Sequence, residues 1–282
     1  MACLFVEQLT VIDCAWLHRQ RGLLGDSWLV DLELDGRLDA QGMVLDFGRV
    51  KPQVKAVVEG TMDHRLLVPT RSSALRVERS PAEVELWYDY DGQPLYHRSP
   101  PEALCLLDIA EITIAAVESH LAAEIRRFMP DNVEAARVTL RPERIAGASY
   151  RYVHGLEQHQ GNCQRIAHGH RSRVEVYRDE QRNESVERWI AERWRDIYVG
   201  TRDHLVDEIL LQETPCYRFR YHAPQGEFEL VIGKHRCELL DAESTIENIA
   251  AHLARLVKNR DPAGNYRVRA YEGVRKGAIA EA

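Results

Sequence analysis

The sequence predicts an α+β protein in which one plan, an antiparallel sheet with helices on one face, is built twice along 282 residues. Three observations lead there. Apolar and polar residues alternate in "SWLVDLEL" (27–34) and "RSRVEVY" (171–177), the period of a half-buried strand. Val50, Val54, Val57 and Val58, and again Ile114, Val117, Leu121, Ile125 and Phe128, recur at helical spacing. Finally, two stretches are echoed in order: "EGTMDHRLLV" (59–68) by "VGTRDHLVDE" (199–208), and "TIAAVESHLA" (113–122) by "TIENIAAHLA" (245–254). Two diverged copies of a unit of roughly 140 residues explain such ordered echoes.

In the first copy the strand at 27–34 precedes a helix, and the proline inside "FGRVKPQVKAVVEG" predicts that its regular part starts near Lys51. Further strands follow in "ALRVERSPAEVELWYDYDGQPLYH", with Asp91-Gly92 as a hairpin turn. The helix from Ile114 to Phe128 closes the unit. The small-residue stretch "IAGAS" (145–149) precedes a new alternation at Tyr150, Tyr152 and His154, so the boundary is placed near Gly147, giving units 1–147 and 148–282. The second copy repeats the plan. A helix face runs through Val186, Trp189, Ile190, Trp194 and Ile197, strands fill "CYRFRYHAPQGEFELVIGKHRCELL", and Ile246, Ile249, Ala250, Leu253 and Val257 mark the last helix.

Composition narrows the function classes. A formal charge of −7 and no Lys/Arg run argue against a nucleic-acid surface. No apolar run approaches the ~20 residues of a membrane span, and the opening residues lack a signal-peptide pattern. Six irregularly spaced cysteines do not form a disulfide framework, and a reducing cytoplasm is the expected compartment.

The chemistry concentrates in "HQGNCQRIAHGHRSRVEVY" (159–177). His168 and His170 share a strand face, and a hairpin with the strand ending at His154 would bring three imidazoles together. Three neutral histidines are a ligand set for catalytic zinc; isolated His-x-His also suits a metal-free surface loop. Cys163, flanked by Gly161 and Asn162, is either a loop thiol activated by its neighbours or an inert filler. In Asp203-His204 a carboxylate can orient an imidazole, although adjacent strand residues face opposite ways and a capping aspartate beside a surface histidine fits equally. Glu272 could accept paired N–H bonds from an amino-pyrimidinone edge, or be an ordinary surface glutamate.

Taken together, His154, Cys163, His168-Gly169-His170, Asp203-His204, Thr245 with Glu247, and Glu272 resemble, in that order, the pattern of the 6-pyruvoyl-tetrahydropterin and 6-carboxytetrahydropterin synthases, a tunnelling-fold family. "DAQGMVLDFGRVK" (39–51) and "MDHRLLV" (62–68) of the first copy resemble the family's central segment. The first copy has Trp16 or His18, Leu24 and Asp26 where the zinc histidines belong, and Pro142 beside Glu143 at the closing glutamate, so it reads as degenerate. The strand-rich segments are longer than the family's.

The resemblance implies a lyase acting on 7,8-dihydroneopterin triphosphate, most like 6-carboxytetrahydropterin synthase, an enzyme of queuosine biosynthesis. It implies zinc on His154, His168 and His170, Cys163 as base, Asp203 and His204 as the acid and relay pair, and substrate contacts from Thr245, Glu247 and Glu272. Arg165, Arg171 and Arg173 are candidate phosphate contacts or a solvated strand face. Because cysteine and Asp-His pair come from neighbouring subunits in that family, Asp63 and His64 are a candidate shared contribution. A homo-oligomer without nucleic-acid or membrane partners is expected. Two alternatives stand beside this: 6-pyruvoyl-tetrahydropterin synthase or another pterin- or purine-acting enzyme of the fold, and a non-catalytic pterin-binding or assembly protein.

Overall fold

A computed structural model describes residues 1–282. The first half consists of β1 (Ala2–His18), β2 (Gly22–Gly36), α1 (Phe47–Thr61), β3 (Leu66–Pro69), β4 (Leu75–Arg79), β5 (Val84–Tyr90), β6 (Gln93–Ser99), β7 (Leu104–Leu107), α2 (Ile114–Arg127) and β8 (Val133–Pro142). The second half consists of β9 (Ser149–His154), β10 (His168–Arg178), β11 (Gln181–Arg182), α3 (Glu184–Arg193), β12 (Ile197–Thr201), β13 (Leu205–Leu211), β14 (Thr214–Ala223), β15 (Gly226–Gly233), β16 (Cys237–Leu240), α4 (Ile246–Arg260), β17 (Tyr266–Tyr271) and β18 (Gly277–Glu281). No helix is long and apolar enough to cross a membrane.

Local chemistry sets the helix starts. Thr113 and Thr245 cap α2 and α4 by accepting backbone N–H bonds from Ala116 and Asn248, so the "TI" echo marks equivalent caps. The helix α1 begins at Phe47 rather than near Lys51, because the Asp46 side chain accepts from the Gly48 N–H and caps it upstream of Pro52. The helix α3 stops at Arg193, and Ile197 opens β12 instead of extending the helical face. Asp91 and Gly92, both at positive φ, form the hairpin turn between β5 and β6.

Each half contains an antiparallel sheet, β1-β2-β8 and β9-β10-β17-β18, extended at one edge by two short parallel strands, β3-β7 and β12-β16. In the first half, the sheet and α1 and α2 enclose one core around Ile12, Val30, Val54 and Leu121. A second core, around Tyr152, Trp194, Ile249 and Val268, lies beneath α3 and α4.

The long strand segments make a third sheet, β13-β14-β15-β6-β5-β4, to which each half gives three strands. The halves join where Tyr96, His97 and Arg98 of β6 pair with Val231, Leu230 and Glu229 of β15. Beneath it lies a core of 22 buried residues drawn from both halves, including Leu23, Leu86, Val153, Phe219 and Leu230.

The halves also meet directly, where β2 crosses β9 and β10. For that reason β2 is buried on both faces from Gly22 to Val30 instead of alternating as a one-sided strand. Gly25 and Gly169 permit the approach: a Cβ on Gly25 would lie 2.0 Å from the Tyr152 carbonyl oxygen, and one on Gly169 would lie 2.5 Å from the Gly25 Cα. Both neighbours are backbone and cannot swing aside. Gly25→Ala is therefore expected to destabilise the protein by ~1–3 kcal/mol or more, measured by chemical denaturation; an unchanged midpoint would show that the crossing can open.

The echo "GT-x-DH" is not a topological equivalence. In the first half it spans the end of α1 and the loop before β3; in the second it spans β12 and the 3-10 turn Arg202–His204. Matching strand pairs align Tyr198 with Leu66, since Tyr198 lies beside Val153 and Leu66 beside Ala15. The order of elements, together with the capped "TI" helices, carries the duplication.

Candidate active site

The hairpin of β9 and β10 places His154 directly opposite His168, and Tyr152 opposite His170. All three imidazoles are buried, with ring centroids 4.3–5.5 Å apart, and each offers a ring nitrogen within 4.8 Å of the others. His154 Nδ1 lies 3.0 Å from the Ser244 carbonyl oxygen, and His168 Nδ1 lies 3.0 Å from that of Arg165. Carbonyl acceptors place the proton on Nδ1 and leave Nε2 as a lone pair, and neither Nε2 has a partner. Burial first, and the neighbouring imidazoles after it, hold His154 and His168 well below the ordinary histidine pKa. Neutral, convergent, unpartnered nitrogens in a buried cluster suit the requirements of a zinc ion for its protein ligands.

The loop between these strands carries Cys163, half-buried in the 3-10 turn Asn162–Gln164. One titratable neighbour comes from the other half: His64, Cys163 and His168 offer ligand atoms within 4.8 Å of one another, and the His64 ring centroid is 5.2 Å from that of His168. His64 sits in a left-handed turn, φ 54°, after α1. Its Nδ1 is 2.7 Å from Asp63 Oδ2, while Asp63 Oδ1 accepts the backbone N–H of Asp13 at 2.9 Å. Burial opposes a proton on His64, but the bond to Asp63 and the neighbouring Cys163 thiol outweigh it and raise its pKa to about 10.

Asp203 and His204 are placed differently. Asp203 is exposed, and the buried His204 directs Nε2 to Glu157 at 3.1 Å and Glu243 at 3.2 Å, with its ring against Tyr221. Two glutamates, rather than the adjacent aspartate, hold this imidazole. Glu272, partly buried after β17, has Oε1 4.0 Å from His170 Nε2 and Oε2 3.7 Å from Lys276 Nζ. Thr245 serves as the α4 cap, and Glu247 points outward from its first turn. Arg165 is buried, bonded to Gln225 and the His64 carbonyl; Arg171 donates to the Glu143 carbonyl, and Arg173 lies over the Tyr271 ring. Arg165 and Arg171 are thus tied to protein acceptors, whereas the Arg173 Nε has no hydrogen-bond partner.

Three pocket residues escaped sequence reasoning: Asp13, Ser27 and Lys276. Burial alone would raise the Asp13 carboxyl, but His170, Lys276 and the Ser27 hydroxyl hold it well below the usual carboxylate range. An aspartate inside the apolar run "LTVIDCAW" was the one available signal. In the first half Trp16 faces Leu24 across the short β1-β2 hairpin, and a cavity of about 360 Å³ lined by Trp16, His18 and Thr113 lies there. Only three residues, Arg19 to Arg21, connect those strands, so that half has no counterpart of the Cys163 loop.

The architecture is that of two tunnelling-fold units in tandem, with a histidine-lined pocket built by both. The family model described as 6-pyruvoyl tetrahydropterin synthase matches twice, over residues 11–152 and 144–282, and the chain belongs to that family. Among solved structures, 6-pyruvoyl tetrahydropterin synthase from Plasmodium falciparum is similar to it at 20% identity, covering 49% of this chain and 90% of that one, with a TM-score of 0.41. The Plasmodium vivax enzyme, in its crystal structure and in a catalytic-residue mutant, is similar at 21% identity, covering 50% of this chain and 97% of that one, with a TM-score of 0.37. No curated protein matches the chain.

Proposed function

We propose that this chain is a zinc-dependent lyase acting on 7,8-dihydroneopterin triphosphate, most like 6-carboxytetrahydropterin synthase and thus of queuosine biosynthesis, with one pocket built from two units, 1–147 and 148–282. The observation that carries the reading is the convergence of three buried histidines, each with an unpartnered Nε2, beside a thiol that clusters with His64, itself held by Asp63. His154, His168 and His170 would hold zinc, which supplies Lewis acidity toward the substrate's side-chain hydroxyls. Cys163 takes a proton from the substrate side chain, and His64, held by Asp63, stabilises the thiolate and returns a proton. Glu272 accepts the paired N–H groups of the pterin edge. His64, which clusters with Cys163 and His168, takes the relay role in this reading in place of Asp203 and His204, because Asp203 is exposed and His204 is engaged by Glu157 and Glu243.

Incubation with dihydroneopterin triphosphate and mass spectrometry of the product tests the reading. A 6-carboxy product supports it, a 6-pyruvoyl product supports the sister synthase chemistry on the same residues, and unchanged substrate with measurable binding leaves a pterin-binding protein. Elemental analysis is expected to give about one zinc per chain, lost in His168→Ala; two equivalents, or zinc retained in that variant, would contradict the ligand assignment.

Assembly is proposed as a homo-oligomer, because β8 and β18 each pair on one side only and leave open sheet edges. Light scattering at micromolar concentration is expected to show more than one chain per particle, and a monomer would refute it.

A further inference from the structure

The crossing of the two halves contains two contacts that the duplication relates. Aligning Gly25 with Gly169, and Ala15 with Val153, makes Asp26 the counterpart of His170 and Asp13 the counterpart of Arg151. Each pair meets across the crossing: Asp13 faces His170 at 3.2 Å, and Arg151 faces Asp26 at 3.2 Å. The same position thus carries a carboxylate where its opposite number is an imidazole, and a guanidinium where it is a carboxylate.

Asp13 is held from every side. The Ser27 hydroxyl donates to Oδ1, Lys276 Nζ lies 3.4 Å from Oδ2, and the backbone N–H of Asp13 is taken by Asp63. Gly273, at φ 66°, closes over it, and a Cβ there would come within 2.5 Å of Oδ1. His170 is otherwise unsupported. His154 and His168 each bond a carbonyl through Nδ1, whereas His170 has no aligned partner on either nitrogen, and the Asp13 carboxylate is the group beside its Nδ1.

We propose that Asp13, contributed by the unit without zinc histidines, is the positioning residue that holds His170 in the Nδ1–H form with Nε2 aimed at the metal, so that the first unit sets the metal affinity of the second. The inference rests on the three histidines being a zinc site. A carboxylate behind a ligating imidazole fixes ring orientation and tautomer and strengthens the nitrogen as a donor, and its loss typically costs 10–100-fold in metal affinity.

The test compares full-length wild type, Asp13→Asn and Asp26→Asn by Zn²⁺ competition against a chromophoric chelator, and by the visible spectrum after Co²⁺ loading. Asp26→Asn weakens the related, partly buried ion pair without touching a ligand, so it reports what loosening the crossing does by itself. The expected result is a 10–100-fold weaker Zn²⁺ affinity and an altered Co²⁺ spectrum for Asp13→Asn, with Asp26→Asn resembling wild type. Equal affinities for wild type and Asp13→Asn, or equal losses in the two variants, would overturn the proposal. Failure of wild type itself to bind Zn²⁺ would instead refute the zinc site. If Asp13→Asn does not fold, Ser27→Ala takes its place: it removes the hydroxyl that positions Asp13, and a severalfold loss of affinity is expected, while an unchanged value would overturn the proposal.

Discussion

Cys163→Ala is expected to lower turnover by about 10²–10⁴ while leaving zinc content and melting temperature near those of the parent protein, the loss usual for a positioned acid or base. The geometry argues for this split. Cys163 is half-buried on a loop and belongs to none of the three hydrophobic cores, so removing its sulfur opens no large cavity. The three histidines are close enough together to hold an ion without it. Yet His64, Cys163 and His168 are also close enough to hold an ion, so loss of zinc in Cys163→Ala would reassign the sulfur as a ligand. Loss of folding would make it structural. Turnover by stopped assay, metal by elemental analysis and melting by calorimetry, all on one preparation, separate these outcomes.

His64→Ala is expected to cost turnover on a similar scale, about 10²-fold or more, with His204→Ala costing much less. His64 clusters with the thiol within 4.8 Å and is braced by Asp63, whereas His204 is engaged by Glu157 and Glu243. The pH dependence gives a second readout. Its raised pKa keeps His64 protonated through neutrality, and that proton is lost as pH rises through about 10. In the free enzyme the alkaline limb of kcat/KM should therefore fall near pH 10 and be missing from the residual activity of His64→Ala. A turnover loss confined to His204→Ala would refute the shared pocket.

The hairpin of β9 and β10 was legible because alternation fixed the facing of Tyr150, Tyr152 and His154, and because His168 and His170 lie two residues apart on one strand. The caps at Thr113 and Thr245 were legible for a similar reason, since their chemistry is local. What could not be read was whatever the crossing of the halves created. Asp13 and Lys276 gain meaning only from residues distant in sequence, and β2 looked one-sided because nothing in its own residues announces the second sheet above it. The "GT-x-DH" echo misled for the converse reason, as shared letters fell in different elements, with His64 beside Cys163 and His204 held by Glu157 and Glu243.

The sheet completed by β6 and β15, with its joint core, also changes how this pocket responds to dilution. A pocket assembled from separate polypeptides exists only in the associated fraction and dissolves by mass action as concentration falls. Here Asp13, Asp63 and His64 travel on the same chain as the histidines and Cys163, so their encounter is intramolecular and does not depend on concentration. Fusion also releases the halves from inheriting each other's substitutions. In an assembly of identical copies, a change that discarded the clustered histidines would discard them everywhere; in this chain one half can lack them while supplying an imidazole beside the thiol, a division of labour that ordinary symmetric oligomers cannot encode.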